Sequence, residues 1–264
     1  MNALHQGFSR AISLLADPLI TPQDLYEKWW SGSTDETRLA PLPLRYHQPE
    51  HARFVLKEAD YEVYSVGTHA VVLYPGDFLK AGEQVVVITR LESWATDHWN
   101  WCRGAHGYSY PLDPETVRIY IPSNSIPVVE LFGDIVNSFN ANRISFEMKH
   151  RRAGGVFSDS IVIWIQARYL SQAVTLVKNC VGDSQWSSSP PPLALHWNGL
   201  GLCAHPKDDS SAGWNFSELL WTVVRGGQLN DIHDSLVRRG FDPHKPWRLN
   251  QSSISNWDVS FNDS

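Results

Sequence analysis

Between residues 116 and 180 the hydrophobic pattern changes period repeatedly, and this alternation constrains the fold more than any other feature of the chain. Thr116-Val117-Arg118-Ile119-Tyr120-Ile121 reads as a strand. Residues 125–139 then place Val128, Val129, Leu131, Phe132, Ile135, Val136 and Phe139 at helical spacing. Residues 144–149 return to period two, and Asp-Ser-Ile-Val-Ile-Trp-Ile at 159–165 reads as a strand covered on both faces. Residues 167–180 carry Leu170, Val174 and Val177 on one side, which predicts a second amphipathic helix. The order strand, helix, strand, strand, helix predicts an α+β fold, a mixed sheet with helices packed on it.

The flanks add further elements. Residues 1–16 form a short amphipathic pattern, and Thr21-Pro22-Gln23-Asp24 caps a second helix expected to end near Trp30. Residues 42–51 read as irregular. Short alternating runs at 61–66, 70–74 and 82–88, separated by turn residues, predict a β meander that ends in the Trp-rich segment 94–101. Ser187-Ser188-Ser189-Pro190-Pro191-Pro192 reads as a loop or stiff linker. Two more helices are expected at 214–224 and 229–239, closed by Gly226 and Gly240. The organisation expected is a helical and meander region over 1–110, an α+β region over 111–250 and a polar tail over 251–264, the first two forming one compact unit.

Composition excludes several classes of function. Of 264 residues 42% are hydrophobic and the net charge is −6, which is globular and unsuited to non-specific nucleic-acid binding. No apolar run is long enough to cross a bilayer, so no membrane partner is expected. The N-terminus lacks the pattern of a secretory signal, so a cytoplasmic location is expected, with delivery into a host cell as the alternative. Three widely spaced cysteines suit a reducing compartment. The twelve tryptophans read as core and lid residues, with a ligand-contacting groove as the sharper alternative. Walker, dinucleotide, zincin and nucleophile-elbow motifs are absent, so no cofactor is expected. His196, Cys203 and His205 have no zinc-site spacing and no evident fourth ligand, so no metal is expected either.

One constellation suggests chemistry. Arg118 and Tyr120 share a face of their strand, and Lys149 is followed by His150, Arg151 and Arg152. If strands 116–121 and 144–150 are neighbours, a lysine, a phenol and guanidinium groups form a cationic pocket suited to phosphate. Crowded positive charge lowers a lysine pKa towards that of a usable base. The bland alternative is a solvated basic turn beside an exposed arginine.

Residues 116–177, with Pro190-Pro-Pro-Leu and Gly199-Leu-Gly-Leu-Cys-Ala-His-Pro206, resemble the Hop-A type III effector family of plant-pathogenic bacteria. The resemblance rests on Val117-Arg118-Ile119-Tyr120, then Asn140, Arg143, Phe146 and Lys149 at three-residue steps, then Asp159-Ser-Ile-Val-Ile-Trp164, and on Gly240-Phe-Asp-Pro-His-Lys-Pro246. Relatives of that family act in biosynthesis of class V lanthipeptides and thioamitides. The resemblance implies a fold like that of the phosphothreonine lyases. It implies a carbon–oxygen lyase that eliminates phosphate from phospho-Ser/Thr of a precursor peptide, beside a kinase-like partner, to leave a dehydroamino acid. Carried over to this sequence, Lys149 falls at the catalytic base, Tyr120 at the catalytic acid and Arg118 at a phosphate-binding cation.

Such chemistry needs an uncharged amine to take the α-proton and fixed cations to hold the negative charge that develops. Guanidinium groups near Tyr120 are expected to lower its pKa. The sequence departs from the family pattern at two places where arginines are expected. Phe157-Ser158 precede Asp159, and Phe216 stands in the late helix. Each lost charged contact to phosphate is worth about 1.5–3 kcal/mol. Arg151, Arg152 or Arg225 could substitute; otherwise the chain is a peptide-binding or effector protein without catalysis.

Overall fold

The computed structural model describes residues 7–32, 96, 98–104, 116–152, 155–205, 212–227 and 231–249 in full, with the backbone alone of strands between Thr37 and Ala95 and of Ala153–Gly154. Of the stretch expected to be irregular at 42–51, His51 instead begins a strand, and the rest lies outside the described residues, as do the turns of the meander and the polar tail.

Helix α1 (Gly7–Leu14) and helix α2 (Pro22–Leu25) open the chain. A capping box starts α2: Thr21 Oγ1 accepts from the Asp24 amide, and the Asp24 carboxylate accepts from the Thr21 amide. The helix continues as a wider π-helical turn, Tyr26–Ser31, that buries Trp29, Trp30 and Ser31 in succession and stops at left-handed Gly32 (φ 68°). After the short β1 (Thr37–Arg38), strands β2 (His51–Lys57), β3 (Glu62–Val66), β4 (His69–Leu73), β5 (Phe78–Ala81) and β6 (Gln84–Val87) form an antiparallel sheet in the order β4-β3-β2-β6-β5.

The second sheet has seven strands. Hairpin β7 (Glu92–Ala95) and β8 (Trp99–Arg103) leads to β9 (Thr116–Ile121), helix α3 (Val128–Ala141) and β10 (Phe146–Arg151). Next come β11 (Ala153–Gly154), which pairs with β1, then β12 (Ile161–Gln166) and helix α4 (Leu170–Val181). Hairpin β13 (Leu195–Trp197) and β14 (Leu200–Ala204) and helices α5 (Ala212–Arg225) and α6 (Ile232–Arg238) are the last elements among the described residues. The sheet order is β13-β14-β9-β12-β10-β8-β7. The Trp-rich hairpin thus belongs to this sheet rather than to the meander.

The α+β reading holds, but every pairing in the sheet is antiparallel rather than mixed. The reason lies in one crossover. Strands β9 and β10, joined by α3, run in the same direction but leave a gap one strand wide, and β12 fills it in the opposite sense. All six residues of β12 are buried. The most apolar strand takes the most covered position.

Alternation along the strands sorts their side chains between two cores. On one face Val117, Ile119, Ile121, Phe146, Met148, Ile161, Ile163 and Ile165 pack against α3 and α4. His150 belongs to this side. It is 1% exposed, its Nδ1 donates to the Arg151 carbonyl, and burial holds its pKa below the ordinary value. On the other face Tyr120, Val162, Trp164, Trp99 and Cys203 pack against α1, the π-helical turn, α5 and α6. Trp30 lies so close to α5 that a Cβ on Gly213 would fall 2.4 Å from its Cδ1.

The hairpin β13–β14 was not anticipated from the pattern of apolar residues. Its turn is Asn198-Gly199, both at positive φ (45° and 81°), the conformation that a tight two-residue hairpin requires. The Asn-Gly pair between Trp197 and Leu200 is the sequence signal for it.

Candidate active site

The face turned towards the N-terminal helices carries the polar groups singled out above. Arg118 and Tyr120 rise from β9, Val162 and Trp164 from β12, Glu147, Lys149 and Arg151 from β10, and Trp99, Trp101 and Arg103 from β8. Strands β9 and β10 are not neighbours, as the cationic-pocket reading supposed. The cross-strand row runs Tyr120, Val162, Lys149, Trp101, so phenol and amine stand two strand spacings apart, about 9–10 Å at the backbone.

Lys149 sits in an aromatic cage. Its Nζ lies 3.8 Å from the ring centroid of Trp99, 4.8 Å from Trp101 and 5.4 Å from Trp164. Trp101 and Trp164, from the strands on either side of β10, stack at 5.3 Å. The side chain as a whole is half-buried, and no hydrogen bond or ion pair holds the amine among the described residues. Loss of water around the amine lowers its pKa from 10.5 to about 7; Arg118 and Arg151 push the same way, while Asp159 and Glu147 oppose them. The indole faces attract an ammonium and temper the shift.

This shift sets a pH dependence of stability. Between about 7 and 10.5 the folded chain binds fewer protons here than the unfolded chain, so stability rises with pH across that window. Lys149→Met is expected to exceed the parent near neutral pH by about 2–4 kcal/mol, less than the full shift because the side chain is partly open to water. Urea denaturation at several pH values should show that advantage fading towards 10.5.

The guanidinium groups differ in availability. Arg118 is 2% exposed; it hydrogen-bonds His205 Nδ1 and lies 5.2 Å from the Trp164 ring. Arg151 forks onto Asp159 at 3.0 Å, donates to Ser31 Oγ at 2.6 Å and stacks over Trp99 and Phe157. Arg152 does not join them: its Nη1 donates to the Thr96 carbonyl at 2.5 Å. Arg225 donates to the Asp17 carbonyl, away from the sheet face.

Tyr120 is 2% exposed, beneath the edge of the Trp30 ring at 5.7 Å. The expectation that nearby guanidinium groups lower its pKa is overturned. Burial raises it, and the Arg118 charge only partly offsets that. The places where the resemblance expects arginines hold packed rings. Phe216 is fully buried, 5.5 Å from Trp30 and 4.7 Å from Phe241, and Phe157 lies 4.9 Å from the Arg151 guanidinium.

Sequence reasoning missed Asp159, the hub beside this row. Its carboxylate, 1% exposed, accepts from Tyr26 Oη at 3.0 Å, Ser31 Oγ at 2.9 Å and Arg151. It ties the π-helical turn to the sheet beside Lys149. An aspartate opening an otherwise apolar strand was the available signal. The cage was legible in part, because Trp99 and Trp101 at i, i+2 must share a face.

No protein-family profile and no curated protein matches this sequence. Solved structures do. The fold resembles that of solved bacterial effector structures. An effector protein from Pseudomonas syringae pv. tomato strain DC3000 superposes with a TM-score of 0.51 at 12% identity, over 92% of this chain and 96% of its own. One from Pseudomonas syringae pv. syringae strain 61 gives 0.51 and 12%, over 94% and 99%. At that identity the likeness carries the fold alone. Among the described residues no helix is long and apolar enough to cross a membrane.

Proposed function

We propose that this chain is a lyase that eliminates phosphate from phosphoserine or phosphothreonine in a peptide, acting after a kinase-like partner, with Lys149 as the base. The observation that carries this reading is the caged amine, partly open, drawn towards neutrality and flanked by Arg118 and Arg151. Holding a lysine this way works against folding, and such groups concentrate at functional sites.

In this reading the Lys149 nitrogen takes the α-proton. The electron pair left on Cα forms the Cα–Cβ double bond as the Cβ–O bond breaks, and phosphate departs with the bonding pair. Tyr120 keeps its proton at neutral pH, as an acid must, and supplies it to the departing oxygen; once phosphate has left, Lys149 gives its proton to solvent and the phenol regains one from solvent. Arg118 and Arg151 balance the charge on the leaving group by exchanging His205 and Asp159 for phosphate oxygens. Trp30 must move aside for Tyr120 to take part. Arg152, bound to Thr96, has no part in the step.

The test is mass spectrometry of a phosphothreonine peptide incubated with the protein, with and without the kinase-like partner. Loss of the elements of phosphoric acid supports elimination. Free phosphate with a restored hydroxyl indicates hydrolysis instead, and an unchanged peptide in both conditions rejects the reading.

A second reading has its own observation. Phe157 and Phe216 fill the two places where phosphate-binding arginines are expected, and Arg118 and Arg151 already have partners. These features favour a peptide-binding protein without turnover. Peptide affinity untouched by Lys149→Ala, with no elimination in the parent, selects it.

A further inference from the structure

Arg118 and Arg151 are held by different kinds of partner. Arg151 forks onto the Asp159 carboxylate, which cancels its charge. Arg118 donates through Nη2 to Nδ1 of His205. Backbone pairing brings these two side chains together. The His205 amide donates to the Thr116 carbonyl at 3.0 Å, so the β9–β14 ladder runs one residue past the pair of Ala204 and Val117. The His205 side chain therefore shares a face with Cys203, which stands opposite Arg118. Both partners are buried, Arg118 at 2% exposure and His205 at 8%. Arg118 and Lys149 lie against the same ring, Trp164, at 5.2 and 5.4 Å from its centroid.

The donor fixes the state of the imidazole. A guanidinium carries only donors and keeps its proton. Nδ1 of His205 must therefore offer its lone pair, which puts the proton on Nε2 and leaves the ring neutral. An imidazolium here would set N–H against N–H and place two buried cations side by side. A neutral ring orients Arg118 without taking any of its charge, as a carboxylate would.

The two arginines then differ in what they give up to an anion. An anion that claims Arg151 must displace the Asp159 carboxylate, itself 1% exposed, and leave that charge buried. An anion that claims Arg118 takes it from a neutral nitrogen, a smaller loss. We propose that His205 is a positioning residue: as the neutral Nε2–H tautomer it presents Arg118, without neutralising it, as the first cation to take the phosphate of the substrate peptide. The phosphopeptide rests on the lyase reading of Lys149; the anion-binding role of the His205–Arg118 pair does not.

The test uses the full chain and has two arms. In the first, long-range ¹H–¹⁵N NMR reads the histidine rings at about pH 8, with His205→Asn assigning the signal. His205 is expected to show an unprotonated Nδ1 and a protonated Nε2. Sulfate, which keeps its charge throughout the neutral range, is then titrated. The Nδ1 signal should move saturably as Arg118 leaves it. The opposite tautomer, or an Nδ1 signal indifferent to sulfate, overturns the proposal, and this arm needs no folded variant. In the second arm, sulfate affinity is compared among variants whose dispersed spectra show that they fold. His205→Asp pairs Arg118 with a carboxylate and should weaken sulfate about ten-fold or more. His205→Asn offers a neutral acceptor in place of Nδ1 and should stay within about three-fold of the parent. Equal affinity in the parent and His205→Asp also overturns the proposal. With a phosphothreonine peptide, His205→Asp should raise KM by a similar factor. The expected sulfate results without any elimination keep the role of His205 in anion binding and reject the lyase reading.

Discussion

Lys149→Ala is expected to lower the rate of elimination about 10²–10⁴-fold, the range in which a positioned base contributes. The loss should fall on kcat, because the amine in its proposed role as base acts on the α-proton only as that bond breaks. The three surrounding indoles remain packed when a small side chain replaces the lysine, and removing a desolvated amine relieves the folded state. Activity should therefore vanish without loss of thermal stability. Lys149→Arg should be as inactive as the alanine variant, since a guanidinium does not lose its proton at usable pH. Single-turnover kinetics on a phosphothreonine peptide would check this. A variant that retains a tenth or more of the parent rate would remove Lys149 from the base position.

The second large effect concerns Asp159. Its carboxylate accepts from Arg151, Tyr26 and Ser31 while 1% exposed. Asp159→Ala strands a nearly buried guanidinium and leaves two hydroxyls without their acceptor. Breaking one side of such a pair costs about 3–5 kcal/mol. Asp159→Asn keeps an acceptor and should cost less. The same carboxylate favours the charged form of Lys149, so its removal should lower the amine pKa further. Equilibrium denaturation gives the first quantity, and a loss below about 1 kcal/mol would contradict the hub described above.

The contrast between these residues shows what the sequence made legible. Local period located the helix around Leu131 and Phe139 and the strands around Ile119 and Ile163, because burial on one face imposes spacing directly. Strand order was not legible in that way. Strand, helix, strand at 116–151 suggested neighbours, yet β12 enters between them, because the strand apolar on both faces takes the centre. The shared face of Arg118 and Tyr120 followed from alternation. The surroundings of Tyr120 did not, since they depend on Trp30, ninety residues upstream and held by α5. Burial in that core reverses the expected direction of the phenol pKa. Lys149 was visible as one base in a basic run. Its cage depended on β8 pairing with β10, a long-range contact that spacing alone does not reveal. Arg151 and Arg152, adjacent in sequence, part company because one reaches Asp159 and the other Thr96.

The proposed role of Lys149 turns on the protonation state of its amine. Reductive ¹³C-methylation of the lysines, with Lys149→Met used to assign the signal, allows each amine to be titrated by NMR in the intact chain. The Lys149 signal should titrate near 7, apart from the other lysines. A midpoint at the ordinary 10.5 would contradict it, because an amine fully protonated at neutral pH cannot take a proton from carbon.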